Sequence, residues 1–435
     1  MSSAFLNNLD DTILAIDFGT SHSLVGAFHK GKRIADLAID PLAPDPTLMR
    51  TLLYFPHADQ CFYGAEALTK YIELEMEGRL FRSFKSHLPN RSYLGTVMDN
   101  RILTLEYMIG IFLLELKKRA EAILQTKITR AVIGRPARYS MDPVADEFAI
   151  HRMRKAAEFA GFLDVLFIPE PLAAALEFRR EIKEEKTILI GDFGGGTSDF
   201  TIMKITPNEF QKKDVLAVEG CPMAGDALDS VFMSSKLNRH FGAQAQYRLP
   251  MSSGLLQMPP GVMECLNKPS QIVHLKDKKT YEFIKEVQKC ALKSADKKNI
   301  DRLFILIEDQ QIFSFFEAIE KTKKELSKQE ASTFEFSYPD LETTEVFSSS
   351  EFADGATKIK TEILEALNRC VEQAGLTDNE IDRVFLTGGT AHVPFIQSEF
   401  IRRFGAQKME TKNFFHSILS GLIESAQSWD KLKSL

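Results

Sequence analysis

Two stretches of the 435-residue chain place an aspartate, glycine and small hydroxyl residues at the end of an apolar run. The first reads Thr12-Ile-Leu-Ala-Ile-Asp17-Phe-Gly19-Thr20-Ser21. The second, 175 residues later, reads Thr187-Ile-Leu-Ile-Gly-Asp192-Phe-Gly194-Gly195-Gly196-Thr197-Ser198. A glycine-rich tip can turn several backbone N–H groups into one concavity, and such a nest binds phosphate oxygens without a side-chain cation. Gly194 to Thr197 can supply one. Asp17 and Asp192, at the strand ends, are placed to hold the waters of a hydrated magnesium bound to those phosphates, because that ion keeps much of its shell. Either segment alone also fits an ordinary Asx turn beside glycine; the repetition favours chemistry. Glu170, between Pro169 and Pro171, is a candidate to orient a water, since phosphoryl transfer asks for an in-line nucleophile and neutralised charge more than covalent chemistry. Taken alone it also reads as an acid favoured by a helix N-terminus.

The elements that must carry these residues can be read from periodicity. Each Asp-Phe-Gly is followed by a second apolar run, Leu24 to Phe28 and Phe200 to Ile205, so each segment is a β-hairpin with a polar tip. A spacing of 175 residues is no solenoid period. It suggests two lobes of similar construction, each lending one hairpin loop to a shared cleft. Short strands are expected at 129–134 and 165–168, with a helix from Leu172 to Arg180 after the proline-flanked glutamate. Apolar residues between Thr104 and Ala122 recur at helical spacing and mark a core-facing stripe. A helix from Thr361 to Ala374 stops at Gly375, and Thr377 with Glu380 forms a capping box. The strand Val384 to Leu386 then leads through Gly388-Gly389 into a helix that admits Pro394 in its first turn. Residues 242–309 show no clear period and read as an inserted subdomain, with the lysine run 276–279 as solvated surface.

Composition narrows the classes. Hydrophobic residues make up 44% and charged residues 26%, which permits a large core and excludes the disordered class. With 54 basic against 60 acidic side chains there is no basic stripe for nucleic acid, which is not an expected partner. Cys61, Cys221, Cys265, Cys290 and Cys370 are odd in number, widely spaced and without a CxxC, which fits reducing cytosol and a cytoplasmic location. No apolar run approaches membrane-spanning length, and the first eleven residues lack the basic start of a signal peptide. Walker A, GxGxxG, HExxH and GxSxG patterns are absent.

The order of motifs resembles the ATPase domain of the DnaK-type, seventy-kilodalton heat-shock chaperones, within the actin, sugar kinase and heat-shock ATPase superfamily. Ile16 to Ser23 is similar to the first phosphate motif, Asp192 to Asp199 to the second, and Val384 to Pro394 to the adenosine motif. Phe167 to Ala175 resembles the connecting segment, and Val132 to Ala137 the strand and switch proline before it. The resemblance implies an α/β, actin-like fold with duplicated, ribonuclease H-like lobes and nucleotide between them. It implies ATP or ADP with Mg2+, and slow hydrolysis. By it, Gly19, Thr20, Ser21 and His22 join Gly194, Gly195, Gly196 and Thr197 around the phosphates. Lys85 contacts phosphate, Glu170 positions water, Asp192 serves metal and water, and Thr197 lies near the γ-phosphate. Glu320-Lys-Thr-Lys323-Lys324-Glu-Leu-Ser327 is similar to the adenosine helix, with Glu320 and Lys323 at the ribose and Lys324 and Ser327 near the adenine. Gly388 and Gly389 face the nucleoside.

Three departures from the family pattern stand out. His392 replaces the adenine-stacking arginine, His416 replaces an acid on the final helix, and Ala224 to Asp229 is a reduced form of a Gly-Gly-Glu-Asp-Phe-Asp stretch. The sequence stops at Leu435 with neither a leucine-rich linker nor a β-rich peptide-binding segment, as in the short YegD-like members. The expected domains are lobe I at 1–186 with an insertion near 40–115, lobe II at 187–410 with an insertion near 227–351, and a helix at 411–435 returning to lobe I. The expected function is a monomeric, magnesium-dependent, chaperone-like ATPase whose partners are nucleotide and protein clients or co-chaperones, with no membrane. The rival readings are an actin-like filament former, a small-molecule kinase and a non-hydrolysing nucleotide sensor. A filament would show as ATP-dependent sedimentation, and a kinase would need an acceptor pocket.

Overall fold

A computed structural model describes residues 12–75, 77–179, 182–207, 214–250, 254–268, 271–410 and 414–429. The chain divides into two compact units. One comprises Met1–Pro222, Glu365–Ala391 and Glu399–Leu435; the other comprises Met223–Leu364 and His392–Ser398. The first eleven residues, read above for a targeting signal, lie outside the described residues.

The first unit holds two sheets built on one plan. In the first sheet, strand Ile13–Phe18 turns back into His22–His29 and pairs on its other side, in parallel, with Arg130–Arg135, which in turn pairs with Asp164–Pro169. In the second, Lys186–Phe193 turns back into Ser198–Ile205 and pairs in parallel with Arg383–Thr387. The hairpins close on matching registers, Phe18 opposite Ser23 and Phe193 opposite Ser198. Each therefore leaves a four-residue tip, 19–22 in one and 194–197 in the other. The echo in the sequence is an echo in structure.

Strand Ile13–Phe18 is buried along its whole length. Leu14, Ile16 and Phe18 face a core shared with helices Leu105–Leu124 and Pro143–Phe159, while Ile13 and Ala15 face a second core lined by helices Glu170–Arg179 and Phe414–Gln427. A strand covered on both faces reads as an unbroken apolar run, which is why its period of two is hidden in the sequence. Such a rigid base fixes the hairpin tip.

Secondary structure follows the expected pattern with small shifts. The helix expected from Leu172 begins at Glu170, because proline is tolerated in a first turn. The Thr377–Glu380 capping box forms, and Gly375 adopts φ +66° at the helix stop. Among the described residues no helix is long and apolar enough to cross a membrane.

The second unit carries helices Gly225–Ser235, Pro260–Leu266, Lys278–Cys290, Ser294–Glu308 and Ile312–Leu326, and the hairpin Ala331–Phe336 with Thr343–Ser348. Phe232, Phe241, Phe315 and Phe316 are fully buried within it. Stretch 242–309, without a period in the sequence, is largely helical. Helix Lys278–Cys290 buries only Ile284 and Val287, too few to show a stripe.

Candidate functional site

Both hairpin tips depend on glycine. A side chain at Gly19 would run into the carbonyl of His22, so only glycine closes that turn. The tip is held from outside by Thr51, whose hydroxyl donates to the Gly19 carbonyl at 2.8 Å and lies 2.9 Å from Ser23 Oγ, and whose N–H donates to the Ser21 carbonyl at 2.9 Å. In the second tip the Gly194 N–H donates to the Thr197 carbonyl at 2.9 Å, and the Thr197 hydroxyl donates to Asp199 at 2.8 Å. Gly388, at φ +88°, lies so close to the Phe193 carbonyl that a Cβ could not fit. The Gly388-Gly389 pair is thereby brought to the base of the second tip.

Lys85 sits in the 3-10 turn Phe84–His87. The rings of Phe18, Phe84 and Phe112 pack together at centroid separations of 5.8 to 6.3 Å and hold this turn against the end of the first hairpin. Lys85 Nζ donates to the Phe18 carbonyl, one residue beyond Asp17. It also pairs with Glu170 Oε1 at 3.3 Å. Glu170 is placed by register: Pro169, the last residue of its strand, is opposite Arg135, and the helix starts at once. Lys85 and Glu170 are 7% and 8% exposed, so this ion pair is dry.

The electrostatics tie the two hairpins together. Burial, then the negative charge of Glu170, pushes the Asp17 carboxyl up to about 8, opposed by Lys85. Asp192 is held well above its ordinary range by burial, then by Glu170, Asp199 and Asp17, with Lys85 opposing. Asp199 is pushed up to about 7, chiefly by burial, although Thr197 and Lys85 favour its charged form. Four carboxylates and one ammonium thus share a poorly hydrated region, and the aspartates of both hairpins feel one another. This donor set fits a hard divalent cation, which would favour the charged forms of the three aspartates. Among the described residues no group of three or more His, Cys, Asp or Glu side chains is set to ligate an ion directly, and magnesium that keeps its water does not need one.

Of the residues read from sequence, Asp17, Lys85, Glu170 and Asp192 are brought together, with Thr197 joined through Asp199. Sequence reasoning missed three neighbours. Asp199 stood at the end of the second motif but was given no role. Thr51 lies in a motif-free stretch. Tyr139 has a buried hydroxyl without a hydrogen-bond partner, and burial, then the charge of Glu170, holds its pKa up.

The remaining candidates lie in the second unit. Glu320, Lys323 and Lys324 are on helix Ile312–Leu326, and Ser327 follows its last turn. Lys323 Nζ reaches Asp229 at 2.5 Å and the Gly225 carbonyl at 3.4 Å, so it is tied to the Ala224–Asp229 stretch. Lys324 pairs with Glu320 at 2.6 Å. His392 ends the 3-10 turn Gly389–His392. The His416 side chain lies outside the described residues.

Comparison with known proteins places the chain in a family. A family model described as Hsp70 protein matches residues 84–241 and 285–415. The chain is also similar to a chaperone protein HscA homolog from Rickettsia felis, 29% identical over 263 residues, which cover 58% of this chain and 38% of that protein. The chain thus spans well under two-thirds of that relative's length. Because the family match extends over more than half of its residues, the chain belongs to the Hsp70 family, whose ATPases share the actin-like α/β fold.

Proposed function

We propose that this chain binds ATP and ADP with magnesium at the paired hairpin tips and hydrolyses ATP slowly, as a chaperone-like Hsp70-family protein. The observation that carries the reading is the meeting of Asp17, Lys85, Glu170 and Asp192, drawn from four separated segments, in one buried cluster. Bound magnesium supplies charge neutralisation and a fixed template for the phosphate oxygens.

The roles of the chain's own residues follow from their placement. Backbone N–H groups of residues 19–21 and 195–197 cradle phosphate oxygens, as hairpin nests do. Asp17 and Asp192 hold the water shell of the metal. Glu170, fixed by Lys85, accepts a hydrogen bond from the attacking water and aims it. Lys85 neutralises charge that builds on the transferred phosphoryl oxygens, and the Thr197 hydroxyl turns from Asp199 to donate to the terminal phosphate. This is positioning and electrostatics, which carry most of phosphoryl transfer.

The nucleoside is assigned to Glu320, Lys323, Lys324, Ser327, Gly388, Gly389 and His392 by family likeness. An imidazole at His392 stacks on adenine without the fixed charge and wide plane of a guanidinium, so weaker base affinity than in arginine-bearing members is expected. Protein clients and co-chaperones are the expected partners.

The test is magnesium-dependent ATP hydrolysis by the wild type and Asp192→Ala. Turnover in the wild type, and its loss in a folded variant, support the reading. Equal rates in both overturn it. ADP binding without wild-type turnover would instead favour the nucleotide sensor.

A further inference from the structure

Among the described residues Arg152 is the largest fully buried side chain, at 2% exposure, and the site described above does not use it. It projects from helix Pro143–Phe159. A guanidinium has five N–H donors in a fixed fork, and each has an acceptor here. Nε donates to Glu106 Oε1 at 2.7 Å and Nη2 to Glu106 Oε2 at 3.4 Å. Nη1 reaches the carbonyls of His87 at 3.4 Å and Asn90 at 3.3 Å, and Nη2 reaches that of Tyr93 at 3.1 Å.

Those three carbonyls belong to the segment that continues directly from the Lys85 turn. The segment has little regular structure of its own: Ser83 enters the turn at φ +54°, and single turns follow from His87 to Asn90 and from Asn90 to Tyr93. The His87 and Asn90 carbonyls accept the Asn90 and Tyr93 N–H groups in those turns, and Arg152 adds a second donor to each and a donor to the Tyr93 carbonyl, tying all three to one point. Glu106, in the first turn of helix Leu105–Leu124, fixes the fork. The His87 ring stacks on Tyr93 at 4.2 Å across the same loop.

We infer that Arg152 is a positioning residue for Lys85: it clamps segment 84–93 so that the lysine ammonium stays between the Phe18 carbonyl and Glu170. This rests on the proposed function of that site. The clamp acts on the geometry of turnover, and Arg152 is not among the residues assigned to the nucleoside. Its loss should therefore reduce kcat and leave KM and ADP affinity nearly unchanged.

The experiment compares single-turnover ATP hydrolysis and calorimetric ADP affinity in the wild type, Arg152→Ala, Arg152→Lys and Lys85→Ala. Arg152→Ala should hydrolyse on the order of tenfold to a hundredfold more slowly, the scale of an ångström's misplacement. Millimolar guanidinium chloride should restore part of the rate, since that ion refits the vacated fork, and urea at the same concentration should not. If Arg152→Ala does not fold, Arg152→Lys decides: three donors in place of five should slow hydrolysis several-fold at intact ADP affinity. Wild-type rates in the folded Arg152 variants, or a slowed alanine variant that guanidinium leaves slow, overturn the clamp. Lys85→Ala separates the two claims. A wild-type rate there overturns the function assigned to the site, and with it the clamp. A dead Lys85→Ala beside a fully active Arg152→Ala removes the clamp alone.

Discussion

Lys85 and Glu170, 85 positions apart in the chain, form a buried ion pair at 3.3 Å. The lysine that makes it also caps the Phe18 carbonyl at the end of the first hairpin. This triangle joins the connecting helix, the 3-10 turn and the hairpin tip, and sets the cluster from which the expected chemistry follows.

Glu170→Gln should abolish most turnover. The amide keeps the shape and a hydrogen bond to Lys85 but polarises water poorly. Hydrolysis should fall by about 100-fold or more, the usual scale for a lost acid–base group, with ADP affinity within a few-fold of wild type. Parallel losses of binding and turnover would show that Glu170 acts on nucleotide binding instead.

Lys85→Met should destabilise the ligand-free protein. Removing one partner of a buried pair leaves the other charge uncompensated, at a cost of about 3 kcal/mol. Glu170→Gln paired with Lys85→Met should recover much of that loss. A urea melt of the double variant no more stable than Lys85→Met would count against the pair.

Asp199 gives the ligand-free protein a pH dependence with a definite sign. Its carboxyl is pushed from an ordinary 3.8 to about 7, so between those values the folded chain holds a proton that the unfolded chain has released. Stability is therefore lost as pH rises through that window. Asp199→Asn removes this titration, and from about pH 5 to about pH 8 the variant should lose less stability than the wild type. A wild-type loss no larger than the variant's would contradict the assignment.

Gly388→Ala should fail for two reasons that add. Its φ of +88° disfavours any side chain, by roughly 1 to 2 kcal/mol, and the new methyl would press on the Phe193 carbonyl. A lower Tm with weakened ADP binding is expected. Gly389→Ala, whose Cβ would meet nothing within 4 Å, should be far milder.

What the sequence made legible has a physical pattern. Asp17, Gly19, Asp192 and Gly194 could be read because strand, tight tip and strand leave a local signature, and because it occurs twice. Lys85 carried no local signal: its placement involves a Phe18 carbonyl 67 positions away, and Arg152 reaches the His87 carbonyl at the end of its turn from another helix. Thr51 was invisible for the same reason. Lys323 lies in a charged helical run that reads as solvated surface, yet Asp229 draws it inward to 14% exposure. Local chemistry shows in sequence; partners brought by the tertiary fold do not.

The central claim is that both hairpin tips converge on a triphosphate and its metal. Calorimetric titration of Mg·ATP near pH 7, in buffers of different ionisation enthalpy, tests it most directly. The account predicts binding coupled to release of about one proton or more, as the raised carboxyls of Asp17, Asp192 and Asp199 ionise beside the cation. It predicts that Asp17→Asn and Asp192→Asn each reduce that release. Binding with no proton release, unchanged in both variants, would contradict it.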